Sequence, residues 1–139
     1  MNKLKLLVCA AALMAMSSAH AVIIDIDSRS NNQSNRIGLV LGPGEYDVAV
    51  IDTGTGGAYD AWNPWSNTNC PVVCDIAPGV NGWVNSYAIS SGQLGENHFT
   101  SGSLYGTAGL ANAAAVDTQF SLNTTQTVEF YISDTPISD

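Results

Sequence analysis

Tyr46-Asp47-Val48-Ala49-Val50-Ile51-Asp52 alternates apolar and polar side chains directly after the triplet Gly42-Pro43-Gly44. A period of two is that of a strand with one face buried, and the triplet supplies the turn that starts it. The same texture recurs outward in both directions. Upstream, Val22 to Asp27 alternates apolar and acidic residues, Ser28 to Asn35 is a polar loop, and Ile37 to Leu41 is a short apolar run. Downstream, Gly82 to Ser90 reads as a strand, and Thr118 to Leu122 with Thr127 to Ser133 reads as a hairpin around Asn123-Thr124-Thr125. Short alternating strands separated by Gly, Pro, Asn and Ser predict an all-β, jelly-roll-like β-sandwich. One segment departs from this texture: Leu104 to Val116 is Ala-rich, and a short helical segment is expected near 108–116. No internal repeat or linker divides the chain, so residues 22–139 are expected to form a single β-sandwich domain.

Residues 1–21 stand apart. Lys3 and Lys5 form a positive n-region, Leu6 to Met16 is apolar, and Ser17-Ser18-Ala19-His20-Ala21 holds the small residues of an A-x-A cleavage site. The apolar run is too short to span a bilayer, so it reads as a signal peptide that is cleaved. Cys9 lies too early in that run to be a lipoprotein acceptor. The expected location is secreted or cell-surface, in the extracellular or periplasmic space, with no membrane insertion after cleavage.

All 12 Asp and Glu of the chain follow that segment, against only Arg29 and Arg36. So acidic a surface repels nucleic-acid phosphates and anionic lipid heads. Its carboxylates and carbonyls suit hard cations such as Ca²⁺. Cys70 and Cys74 close a tight loop in an oxidising compartment, so a disulfide is expected, with an entropic gain of about 2 kcal/mol. A half-built metal site is the alternative there, with His98 as the remaining soft ligand of the exported part.

Val50-Ile51-Asp52-Thr53-Gly54-Thr55 resembles the active-site loop of aspartic proteases, whose chemistry needs two carboxylates sharing one proton and therefore a dimer at this size. No supporting apolar strand follows at Gly56-Gly57-Ala58-Tyr59. A strand ending in an Asp-Thr-Gly turn is the stronger reading, with Asp bonding backbone N–H groups and Gly at positive φ. Asp25, Asp27, Asn31 and Asn32 form an oxygen-rich cluster, but Arg29 and Ser30 stand where an EF-hand loop needs Asp or Asn and then Gly, so a solvated loop is expected. His98 has no nucleophile or carboxylate at a telling spacing. No catalytic centre is expected, and the chain reads as a non-enzyme.

Gly57-Ala58-Tyr59-Asp60-Ala61-Trp62-Asn63-Pro64-Trp65 concentrates aromatic faces beside Asp and Asn, which suits either a core or a sugar platform. Trp62 and Trp83 read as pillars under a loop, and Tyr59 and Trp65 as the exposed pair.

Taken with Gly44-Glu45-Tyr46-Asp47-Val48, the Cys pair, Gly82-Trp83-Val84-Asn85-Ser86-Tyr87 and Val128-Glu129-Phe130-Tyr131-Ile132-Ser133-Asp134, this block resembles a group of exported bacterial proteins associated with PEP-CTERM sorting tails. That group is similar to the calcium-dependent galactose-binding lectins of the PA-I type. The resemblance implies a calcium ion at one edge of the sandwich, contacted directly by sugar hydroxyls. Carried over by position, it implies Tyr59, Asp134 and Asp139 as metal-site residues and Tyr59, Trp65 and Asp134 as carbohydrate-binding residues. The His-Pro pair those lectins place beside the sugar has no counterpart after Trp65. Their pattern also continues past the second acid with an Asn and a Gly-rich strand, and this sequence stops at Asp139 without a sorting tail, so the expectation is either a fragment of a longer chain or a sandwich lacking that strand. The resulting expectation is a secreted, lectin-like, calcium-dependent carbohydrate-binding protein. The alternative is an extracellular structural or matrix protein that self-associates, as a homo-oligomer, without a small ligand.

Overall fold

A computed structural model describes residues 21–62, 73–74 and 82–132 of the chain. Nine elements follow one another: β1 (Ile37–Leu41), β2 (Gly44–Val48), β3 (Val73–Cys74), β4 (Ser86–Ser91), β5 (Gly95–Thr100), β6 (Leu104–Tyr105), α1 (Ala108–Ala113), β7 (Thr118–Leu122) and β8 (Gln126–Tyr131). The strands form a four-stranded sheet in the order β1-β8-β4-β5 and two-stranded sheets β2-β7 and β3-β6, all antiparallel. The fold is an all-β sandwich with one short helix.

Alternation decides which side chains meet. Along β4 and β8, Tyr87, Ile89, Val128, Phe130 and then Ile132 are buried in one cluster with Leu122 of β7. Leu39 and Leu41 of β1, Tyr46 and Val48 of β2, and Phe120 of β7 pack onto that cluster from both sheets. Cross-strand aromatic pairs add to it. Tyr46 stacks on its register partner Phe120 at 5.2 Å between centroids, and Tyr87 on Phe99 at 5.1 Å. Such pairs contribute about 0.5–1.5 kcal/mol beyond the area they bury.

Helix α1 falls inside the expected 108–116 segment. Thr107 caps it, with Oγ1 accepting from the Leu110 amide at 3.2 Å, and Ala111 is fully buried. Capping hydroxyls of this kind satisfy one of the first orphan amides of a helix.

Three sequence expectations need correction. The Val22–Asp27 segment is not a strand, because its backbone has no ladder partner among the described residues. Residues 118–122 and 126–131 are strands, but they do not pair as a hairpin: β7 pairs with β2, and β8 with β1 and β4. Both strands bury alternate side chains in the same core, and they do so from opposite sheets, so the link at Asn123-Thr124-Thr125 arches between the layers. Gln93, in the β4–β5 turn, holds that arch. Its Oε1 accepts from the Asn123 amide at 2.9 Å and from Gln126 Nε2 at 3.3 Å, and its Nε2 donates to the Ser121 carbonyl at 3.0 Å. Strand β5 was not anticipated at all. It is an edge strand with only Phe99 turned inward, so its sequence carries almost no apolar alternation.

Candidate functional site

The loop from Asp52 to Trp62 is built from backbone acceptors and short polar side chains. The Asp52 carbonyl accepts from the Thr55 and Gly57 amides at 3.1 and 3.0 Å, and the Asp52 carboxylate accepts from the Thr55 hydroxyl at 2.8 Å. The Asp-Thr-Gly-Thr sequence is therefore a turn. The positive-φ residue is Gly56, just after it, at φ 113°, not Gly54. A Cβ on Gly57 would lie 3.2 Å from the carbonyl oxygens of Ile51 and Asp52, so the chain crosses itself tightly there.

Two carboxylates fix the rest of the loop. Asp60 Oδ1 accepts from the Thr53 amide, and Asp25 Oδ1 from the Ala58 amide, each at 2.6 Å. Asn85 Nδ2 donates to the Asp60 carbonyl at 2.9 Å. Trp62 and Val84 exchange backbone hydrogen bonds at 2.9 and 2.8 Å, and Trp62 Nε1 donates to Ser86 Oγ at 3.1 Å. Trp62 is half-buried and packs against both apolar clusters, in keeping with a pillar. Tyr59 sits between these anchors with half of its surface exposed, at 50%.

The loop borders a cavity of about 460 Å³ between the sheets. Ile24, Ile26, Leu39, Val48, Phe120 and Phe130 supply much of its apolar wall, and both Tyr59 and Ile132 line it.

A second polar cluster covers the outer face of the four-stranded sheet. Arg36 Nη1 donates to Glu129 Oε2 at 2.9 Å and to Ser90 Oγ at 3.0 Å, and Arg36 Nη2 lies 3.7 Å from Glu96 Oε2. His98 Nε2 meets Glu96 Oε1 at 2.8 Å. The Arg36 guanidinium stands 4.3 Å over the ring of Tyr131, which is fully buried. The Arg36 and Ser90 hydrogen bonds hold the Glu129 carboxyl below the usual carboxylate range. The Tyr131 hydroxyl first, then His98 and Arg36, do the same for Glu96. That hydroxyl has no partner in hydrogen-bond geometry among the described residues, so its influence on Glu96 is one of proximity rather than of a formed bond. Burial pushes the Tyr131 phenol up to about 12, and burial with the Asp117 charge does so for Tyr87. Neighbours at positions 36, 90, 96, 98, 129 and 131 share no local sequence pattern, because only strand register brings them together.

The candidate residues divide between described and undescribed parts of the chain. Tyr59 is placed as above, and Cys74 is the last residue of β3, paired with Leu104. Trp65, Cys70, Asp134 and Asp139 lie outside the described residues. Among the described residues no three His, Cys, Asp or Glu side chains converge as a metal site. Asp27 accepts from the Arg29 amide and the Ser30 hydroxyl, at 3.0 and 2.9 Å, and Asn32 from the Ser34 amide at 2.8 Å, so the oxygen-rich stretch is turn structure as expected. Among the described residues, the oxygen groups nearest Tyr59 in the loop are backbone carbonyls and the Asp25 and Asp60 carboxylates, each of which accepts one loop amide. Oxygen donors of this type fit a hard cation.

Comparison with protein-family models, curated proteins and solved structures finds no match to this chain.

Proposed function

We propose that this chain is an exported, lectin-like protein that binds carbohydrate through a calcium ion and carries out no catalysis. The observation that supports the reading is a shared border. Tyr59 lines the same cavity as Ile132, the residue from which the chain passes into the acid-bearing positions 133–139. A Tyr59 carbonyl, Asp134 and Asp139 around one ion would leave coordination positions open for vicinal sugar hydroxyls. Trp65 would then offer its face to the C–H side of a sugar ring. Asp25 and Asp60 support the site by fixing the loop on either side of Tyr59.

The same reading takes residues 1–21 as a cleaved signal peptide and Cys70–Cys74 as a disulfide closing the tight loop between them. Secretion supplies both the calcium and the oxidising conditions these features need.

A glycan array probed with the purified protein in calcium and in excess chelator tests the reading. Chelator-sensitive binding to a subset of glycans is the expected result. Retention that persists in chelator would remove calcium from the mechanism, and a blank array would remove the carbohydrate.

A further inference from the structure

We propose that the cleft between residues 21–26 and β2 is a strand-acceptor slot, which takes an extended peptide segment of alternating apolar residues without acids. The cavity is lined along two extended stretches of chain, residues 21–26 and 46–51. One face of a strand would contribute every second residue. Here Ala21 to Ile26 and Tyr46 to Ile51 line it consecutively, so the cavity runs alongside both segments.

Neither edge carries a backbone partner from the described residues on the cavity side. Among the described residues, the backbone from Ala21 to Ile26 makes no backbone–backbone hydrogen bond, and β2 has a ladder partner only on its β7 side. The floor of the slot is apolar and belongs to the opposite layer: Leu39 and Leu41 of β1, and Phe130 and Ile132 at the β8 end. A strand added to the free edge of β2 would widen a two-stranded sheet that faces a four-stranded one. Its inward side chains would cover that floor.

Charge selects the occupant. The ionisable side chains that line the cavity are Asp25, Asp47, Asp60 and the three tyrosines Tyr46, Tyr59 and Tyr87, with no lysine or arginine. An acidic strand is repelled, which includes residues 22–27 of a second copy with Asp25 and Asp27. A strand with neutral or basic outward residues is favoured. Addition of a peptide to a sheet edge draws affinity from main-chain hydrogen bonds and register from alternate side-chain pockets.

The test titrates the full chain with acetylated eight-residue peptides, read by calorimetry and amide hydrogen exchange. A peptide alternating valine and lysine is expected to bind and to slow exchange at Val22–Ile26 and Tyr46–Val48 by about tenfold or more. A scrambled peptide, an alternating valine–aspartate peptide and a version N-methylated along one edge are expected not to bind. Equal binding of the N-methylated peptide would overturn the proposal, since side-chain filling alone would then explain it. Binding of N-phenyl-1-naphthylamine with no binding of the valine–lysine peptide would also overturn it, in favour of a small apolar ligand. Protection of the same amides in peptide-free protein of dimeric mass would overturn it in favour of a second copy.

Discussion

Asp25 Oδ1 accepts a hydrogen bond from the Ala58 amide at 2.6 Å, which ties the segment before β1 to the residue preceding the exposed Tyr59. The bond spans 33 residues, and the loop it restrains is also held at Thr53 and Asn85. An aspartate near the start of the described chain therefore acts on the geometry of the candidate site without joining it.

Asp25→Ala should leave the fold intact, cost about 1–2 kcal/mol through the lost charge-assisted hydrogen bond, and weaken glycan binding. Asp25→Asn should recover part of both, because its side-chain oxygen can still accept. Urea unfolding and glycan titration of the two variants check this. Unchanged affinity in Asp25→Ala would detach the segment from the site.

Two buried tyrosines should respond oppositely to loss of the hydroxyl. Tyr87 Oη donates to the Val116 carbonyl at 2.6 Å, so Tyr87→Phe should cost about 1–2 kcal/mol. The Tyr131 hydroxyl is buried without such a partner, so Tyr131→Phe should fall within about 0.5 kcal/mol of the parent or exceed it in stability. Chemical denaturation of both variants separates the cases.

The pH dependence follows from the same groups. Glu96 and Glu129 have depressed folded values, so the stability they contribute is present above the ordinary carboxylate range and is lost as pH falls through their lower folded values. Arg36→Ala should flatten that acid limb and lower the thermal midpoint at neutral pH. Tyr87 and Tyr131 are raised to about 12, so stability should also decline as pH climbs from about 10 towards that value. Thermal melts between acid and alkaline pH check both limbs.

Gln93→Ala removes the acceptor and donor that hold the arch between β7 and β8, and should cost about 1–2 kcal/mol despite the residue's exposure. Hydrogen exchange at Asn123 should accelerate in the variant. An exposed glutamine without that role would leave both measurements unchanged.

The sequence was legible wherever a strand carries one apolar face. Residues 37–41, read as a short apolar run, and 118–122 form strands with those bounds, whereas the alternation at Tyr46 to Asp52 is strand only as far as Val48. Alternation at Val22 to Asp27 gave a false strand, because period two reports the propensity of a segment and not whether a partner edge is available. Strand β5 was illegible for the opposite reason: an edge strand needs little apolar content. Pairing was the larger difficulty. Nothing local says that Thr118–Leu122 joins Gly44–Val48 rather than the strand next to it in sequence. For the same reason the Arg36, Glu96 and Glu129 cluster could not be seen before the register was known. In the candidate site, Tyr59 was legible as an exposed aromatic, whereas the roles of Asp25 and Asp60 as loop anchors depend on contacts that no motif encodes.

Calcium titration by calorimetry of the purified chain, repeated with Asp134→Asn and Asp139→Asn, tests the central claim most directly. The account expects a saturable calcium heat in the parent that is lost or weakened at least about tenfold in each variant, with sugar heats appearing only after calcium is added. A parent chain that takes up no calcium, or variants that bind it as tightly as the parent, would contradict it.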